Sequence, residues 1–277
     1  MVLFYGEVLC ILIYGAASAL GLYGVMRDRP AVARAGKYVF GAALLVHSAV
    51  IGFESVRTAG TLLSGPNIVM LASWVLAVVS AVGLAVTKRG MSLAAVSALI
   101  VAALIAASQW MRILDPTAAD NMAFYQWPLL VPHIVLVFLA CAFFATSAVA
   151  SGIQLYQRRL MRQRSAKVLT LDTPALDTLG KIARFTALAG LVMFSAALLI
   201  GITHLVAIYA AMVRVGCEGS LGYLAPRIGL SVVVWLAWAA YAVLAFLAPY
   251  AVGSRVRSWL AIASFGLAVV LVAVSAG

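Results

Sequence analysis

Eight long apolar runs set the strongest limit on what this chain can fold into. Spanning about 30 Å of hydrocarbon takes about 20 helical residues, and each run has about that length. Charged residues, glycine or proline close every run, which predicts eight separate helices. The runs cover approximately residues 3 to 26, 38 to 55, 67 to 87, 91 to 111, 127 to 152, 184 to 212, 227 to 249 and 257 to 276. We therefore predict an all-α integral membrane protein, a bundle of about eight transmembrane helices in a single polytopic domain over residues 1–277.

The composition agrees with a membrane protein and disfavours a soluble one. Hydrophobic residues make up 65% of the chain and charged residues only 10%, which is outside the range of soluble globular domains. The net charge of +11 would suggest nucleic acid as a partner if it formed a patch on a soluble domain. Here the basic residues lie in short loops between apolar runs, so the predicted partner is the lipid bilayer and not nucleic acid.

The basic residues are distributed unequally between alternate loops. One set of loops holds fifteen of the nineteen Lys and Arg residues, seven of them in the connector from Arg158 to Arg184. Short loops rich in Lys and Arg stay in the cytoplasm, so both termini are predicted to be extracytoplasmic, as in a multi-pass protein of a bacterial inner (cytoplasmic) membrane. The acidic residues of the other set, including Glu7 and Glu54, are expected at loop level, which disfavours proton or cation transport.

All three histidines of the chain fall within apolar runs. His47 and His204 each lie about 15 Å along their helices from an outer arginine, and His133 lies about 9 Å from Trp127. The three imidazoles therefore share a depth in the outer half of the membrane. Two histidines from facing helices can hold haem iron inside a bundle, whereas a histidine that merely bridges helices by a hydrogen bond is the plainer interpretation. The residues alone leave both interpretations open.

Other kinds of site have less support in the sequence. No Asp, Glu or Cys lies beside the histidines, so a compact zinc or copper site is disfavoured. The three cysteines, Cys10, Cys141 and Cys217, show no metal-ligand or redox spacing, and we interpret them as structural. There is no Gly-rich phosphate loop and no serine nucleophile elbow, so no catalytic residue is assigned.

Three passages carry a resemblance to a known family. They are GAALLVHSAVIGF followed by NIVMLASWVLAVVSAVG, then WPLLVPHIVLVFLACAFFATSAVASGIQLYQRRLMRQR, then LDTPALDTLGKIARFTALAGLVMFSAALLIGI. In this order, over about 150 residues, the chain resembles the cytochrome c assembly family, the CcsA, ResC and HemX-type membrane proteins that handle haem. The tryptophan-rich outer loop of the family's synthases is replaced here by VRVGCEGSLGYLAPR, and the later helix WLAWAAYAVLAF continues without a histidine. The resemblance therefore implies the short HemX-like branch and a haem-associated bundle, rather than covalent haem attachment.

These observations give one leading hypothesis and two rivals. The leading hypothesis is a protein that holds or relays haem b for cytochrome c assembly, or passes electrons within a larger membrane complex. Its axial ligands are two of His133, His204 and His47, with His133 and His204 favoured because they flank one connector. Its partners would be other membrane subunits of a cytochrome assembly or respiratory complex. The rivals are a structural or regulatory subunit that binds no cofactor, and a small-molecule transporter.

Overall fold

A computed structural model describes residues 2–57, 65–87, 90–114, 129–165, 173–214, 225–248 and 250–276, and in these ranges every regular element is helical. Within these ranges eight helices are long and apolar enough to cross a membrane, which confirms the predicted all-α architecture and agrees with the eight predicted runs. The helices are α1 (Val2–Met26), α2 (Pro30–Arg57), α3 (Gly65–Val86), α4 (Met91–Leu114), α5 (Leu130–Arg162), α6 (Leu176–Arg214), α7 (Ala225–Ala242), continued by a π-helical turn (Val243–Leu247), and α8 (Ser254–Ala276).

The helices α5 and α6 are longer than the apolar runs that predicted them. They have 33 and 39 residues, so at 1.5 Å per residue they extend about 50 and 58 Å. The extra turns carry basic residues of the connector, Arg158, Arg159 and Arg162 on α5 and Lys181 on α6. The hydrophobic run defines the part that fits in hydrocarbon, whereas the helix itself continues while its polar side chains remain in water.

Side-chain packing divides the core into two main clusters. The first joins α1 to α5 around Tyr14, Phe40 and Ile105, all of which are buried. The second joins α5 to α8 around Phe144 and Trp238, whose rings are stacked with centroids 4.2 Å apart and planes 5° from parallel. The helix α5 contributes to both clusters, so it is the central element of the bundle.

The direction of the helices follows from which of their ends meet. The last turns of α1 and α5 and the first turns of α2 and α4 form one cluster that includes Val25, Ala33, Met91 and Leu160. The first turn of α8 reaches the last part of α5 at this same end, where Arg158, Arg184 and Arg257 also lie. We call this the basic end of the bundle, and the other the opposite end. Both the beginning of α1 and the end of α8 therefore lie at the opposite end.

Small residues allow close approach where helices cross. At Gly24, near the turn between α1 and α2, a Cβ atom would lie 2.8 Å from the Cα of Ala33 and closer still to its backbone nitrogen. At Gly190 on α6, a Cβ atom would lie 2.6 Å from the ring of Phe144. Only glycine lets these helices pack at such short distances.

Candidate functional site

Three residues of α6 form the face that meets the first turns of α5. Ala197, Gly201 and His204 follow one another at spacings of four and three residues, so they share one side of the helix. The imidazole of His133 on α5 lies against this face, with Nδ1 2.9 Å from the carbonyl oxygen of Ala197. A carbonyl only accepts hydrogen bonds, so Nδ1 carries the proton and donates it to Ala197. In a neutral ring, the lone pair is then on Nε2.

Gly201 creates the space that His133 occupies. A Cβ atom at this position would lie 3.1 Å from Cε1 of His133 and 3.7 Å from Nδ1. The imidazole therefore packs directly against the backbone of α6, at the same turn where its Nδ1 meets Ala197. The glycine and the carbonyl together fix the position and the tautomer of the ring.

His204 lies one turn beyond Gly201 on the same face. Its side chain is half-buried, and it is close enough to His133 for the two rings to interact electrostatically. The structure therefore brings together the two histidines that the sequence favoured as a pair. It also explains why they meet, because α5 and α6 are antiparallel neighbours joined at the basic end.

His47 belongs to a different group of helices. It is completely buried on α2, with its Nδ1 3.4 Å from the hydroxyl of Tyr14 on α1, and the two rings meet edge to face with centroids 5.8 Å apart. It also lies beside Met70 on α3. His47 thus contacts α1 and α3, whereas His133 and His204 lie on α5 and α6. The third predicted ligand is therefore not brought into the pair.

A buried polar cluster at the opposite end was not predicted. Glu7 has no exposed surface, and its Oε1 lies 2.6 Å from Nη1 of Arg112 on α4. Gln109 donates from Nε2 to the other carboxylate oxygen of Glu7, and Arg112 also donates to Oδ1 of Asn67 on α3. Glu54 on α2 is close enough to interact electrostatically with Glu7. The expectation that Glu7 lies at loop level is wrong, because its partners enclose it between helices.

One signal in the sequence pointed to this cluster. Glu7 lies inside an apolar run, and Gln109 and Arg112 are three residues apart on one face at the end of another. Ionisable residues within membrane spans usually face the interior of the bundle and pair with one another. Which residues pair is not visible from sequence, since Glu7 and Arg112 are more than a hundred residues apart.

Two cavities lie at the basic end, and neither is lined by a histidine. The first has a volume of about 430 Å³ and apolar walls from α1, α4, α5 and α8, including Val25, Ile100 and Phe265. The second has a volume of about 240 Å³ and is lined by Arg158 and ten further residues of α5 to α8. Among the described residues, no group of three or more His, Cys, Asp and Glu side chains is arranged to hold a metal ion. A haem iron needs only axial ligands from the protein, so the pair of histidines remains the relevant feature.

Comparison of the chain with protein-family models, with curated proteins and with solved structures finds no match. The resemblance to the cytochrome c assembly family therefore stays a prediction. The proposal for the function depends on the chemistry of the residues themselves.

Proposed function

We propose that this protein is a multi-pass membrane protein that binds haem b, with His133 and His204 as the axial ligands. The observation that carries the proposal is the bond from Nδ1 of His133 to the carbonyl of Ala197, with His204 one turn beyond Gly201 on the same helix face. Histidines that bind metals commonly donate their other ring nitrogen to a backbone carbonyl or a carboxylate, which fixes the ring and increases its basicity. His133 has this arrangement through Ala197.

The residues present fit the requirements of haem iron. The tautomer that Ala197 imposes on His133 places the lone pair on Nε2, the atom through which an imidazole commonly binds iron. Ala197 and Gly201, which lie against the His133 ring, carry no charged side chain. When bound, haem supplies one-electron chemistry or serves as cargo for cytochrome assembly. Ala197 and Gly201 would hold the first ring in place, and His204 would provide the second imidazole.

The distribution of charge supports one orientation in the membrane. The basic end carries Arg158, Arg184 and Arg257, so we place it in the cytoplasm and both termini outside. The pair of histidines then lies in the outer half of a bacterial inner membrane. Haem held there is accessible to the side on which cytochromes c mature, so the protein would hold or relay haem for their assembly, together with other membrane subunits.

A second candidate is a structural or regulatory subunit without a cofactor. The contacts that favour it are the bond from His133 to Ala197 and the contact of His47 with Tyr14, because both also link neighbouring helices. Interhelical hydrogen bonds of this kind contribute about 0.6 kcal/mol on average in membranes. The two candidates therefore predict different absorption spectra, and do not differ only in the stability that they predict.

An absorption spectrum of the purified, detergent-solubilised protein distinguishes the two. The haem proposal predicts a Soret band, either as purified or after titration with haem, and a reduced-minus-oxidised difference spectrum typical of six-coordinate, low-spin haem b. The cofactor-free candidate predicts no saturable change in absorbance when haem is added. A spectrum of five-coordinate haem would show that only one of the two histidines is a ligand.

A further inference from the structure

We infer that the polar cavity at the basic end is a binding site for a phosphate group. We call it the arginine pocket, and it lies between α5, α6, α7 and α8 with a volume of about 240 Å³. Each of the four helices contributes at least one residue with a polar side chain. These residues include Arg158 from α5, Arg184 from α6, Tyr241 from α7 and Arg257 from α8.

The wall of the arginine pocket is formed by buried polar side chains. Tyr241 is 3% exposed, Ser258 is 2% exposed and Gln154 is 9% exposed. The hydroxyl of Ser258 lies 3.1 Å from Oε1 of Gln154, and Nε2 of Gln154 donates to the carbonyl of Leu176 over 3.3 Å. These contacts hold the polar atoms in place before any ligand arrives, which reduces the entropy lost on binding.

The three arginines are anchored by bonds to the protein. Arg158 donates to the hydroxyl of Ser254, Arg184 donates from Nε to the carbonyl of Gly180 over 3.3 Å, and Arg257 donates from Nη1 to the carbonyl of Leu244 over 3.3 Å. Each guanidinium has five N–H groups in a fixed plane. Nε of Arg158 is buried and has no hydrogen-bond partner in the described part of the chain.

Positive charge in the arginine pocket exceeds negative charge. Among the described residues that line it, Asp177 is the only acidic one. The Asp177 side chain is 73% exposed, is paired with Lys181 at 2.7 Å and also interacts electrostatically with Arg184, so this single carboxylate does not balance the positive charge of the pocket. Partly buried positive charges are costly unless an anion compensates them. Guanidinium groups match the oxygen atoms of phosphate with paired hydrogen bonds, and phosphate is therefore the anion that this set of donors would take.

The location indicates where the phosphate comes from. The arginine pocket lies at helix ends, at the level where a phospholipid of the adjacent leaflet places its headgroup, and basic pockets between helices bind such headgroups. A soluble phosphate compound shares the same chemistry and would enter from the same side. Exposed arginines nearby provide a comparison, since Arg159 and Arg255 have the same charge at the same end but lie outside the pocket.

Thermal stability in the presence of defined probes tests this site. The purified protein is titrated with short-chain phosphatidylglycerol, with the matching diacylglycerol that lacks the phosphate, and with inorganic phosphate. We expect phosphatidylglycerol to raise the melting temperature more than diacylglycerol does. If inorganic phosphate raises the melting temperature as much as phosphatidylglycerol does, the site is supported and its ligand is a soluble phosphate compound. If phosphatidylglycerol and diacylglycerol raise the melting temperature equally and phosphate does not raise it, the site is refuted.

Matched variants locate the effect. Arg184→Gln/Arg257→Gln removes two charges from the pocket, and Arg159→Gln/Arg255→Gln removes two charges outside it. We expect an affinity about tenfold or more weaker for the first variant and little change for the second, since a charged hydrogen bond contributes at least this much. Arg184→Lys keeps the charge but loses the planar guanidinium group, so it should also bind phosphatidylglycerol more weakly. This variant replaces the double variant in the test if the double variant does not fold. Equal losses of affinity in the pocket variant and in the control variant would show that binding depends only on surface charge, and would refute the site.

Discussion

Arg112 on α4 and Glu7 on α1 form an ion pair, with Nη1 and Oε1 2.6 Å apart and the carboxylate completely buried. Removing one member of a buried pair leaves the other charge without compensation and typically costs about 3–5 kcal/mol. We expect Glu7→Ala to reduce the free energy of unfolding by about 3 kcal/mol, at the lower end of that range because the Arg112 side chain is 26% exposed. Denaturation by a graded detergent mixture would measure the loss.

A second pair on the same protein provides the control. Asp177 and Lys181 lie 2.7 Å apart, but their side chains are 73% and 59% exposed. Exposed pairs contribute little because water and salt screen them, so Asp177→Ala should change stability far less than Glu7→Ala does. If both substitutions cost the same, the Glu7 carboxylate is solvated and the buried cluster at the opposite end does not exist.

Replacing glycine by alanine should have different effects on stability at two positions of α1. A Cβ atom at Gly24 would press on the backbone of Ala33, which cannot move aside like the tip of a flexible side chain. Gly24→Ala should therefore destabilise the protein by about 1–3 kcal/mol, the usual cost of overpacking. A Cβ atom at Gly15 meets nothing within 4 Å, so Gly15→Ala should be neutral or stabilise by up to about 1 kcal/mol. A comparison of the two melting temperatures checks the packing of α1 against α2, and the reverse order would contradict it.

The eight helices were predictable because each must span the same thickness of hydrocarbon, a requirement that leaves a long apolar run in the sequence. Side-chain partners leave no comparable pattern. Glu7 looked like a loop residue because its partner, Arg112, is distant in the sequence and only the packing of α1 against α4 brings them together. The same limit applies to His47. Counting residues predicts a depth along the helix axis, and depth contains no information about which neighbours a helix has.

The meeting of His133 and His204 was predictable for a physical reason. Their helices are consecutive and joined by one connector, and consecutive membrane helices are commonly antiparallel neighbours. The role of Gly201 and Ala197 was not predictable, because it depends on the rotation of α6 about its axis. Similarly, the clustering of Arg158, Arg184 and Arg257 around one cavity could not be distinguished from the general excess of basic residues at that end.

A hydrogen bond from a tryptophan side chain joins α7 to α6, and its loss should reduce stability less than the loss of the Glu7 carboxylate. The indole nitrogen of Trp235 donates to the hydroxyl of Ser195 over 2.8 Å. Ser195→Ala leaves this donor without its partner, and we expect a loss of about 0.6–1.7 kcal/mol, the range for hydrogen bonds between membrane helices. Ser55, which is exposed and bonds only locally to the carbonyl of Gly52, is the matched control. Equal effects of Ser195→Ala and Ser55→Ala would show that the bond contributes nothing measurable.

Gly201 allows the geometry of the histidine pair to be tested without removing either imidazole. Gly201→Val would place side-chain atoms where Cε1 of His133 now lies, since even a Cβ atom there is within 3.1 Å. We expect this variant to fold but to bind haem more weakly, because His133 is displaced from the carbonyl of Ala197. Gly229→Val, at a position with nothing within 4 Å, should bind haem like the unaltered protein. Unchanged haem binding by Gly201→Val would contradict the assigned position of the ring.

Haem titration of histidine variants is the most direct test of the proposed function. The unaltered protein, His133→Ala/His204→Ala and His47→Ala are purified in the same detergent, and the Soret absorbance is followed as haem is added. The account predicts saturable binding by the unaltered protein and by His47→Ala, and no low-spin Soret band for the double variant. An unchanged Soret band in His133→Ala/His204→Ala, or no saturable binding by the unaltered protein, would contradict it.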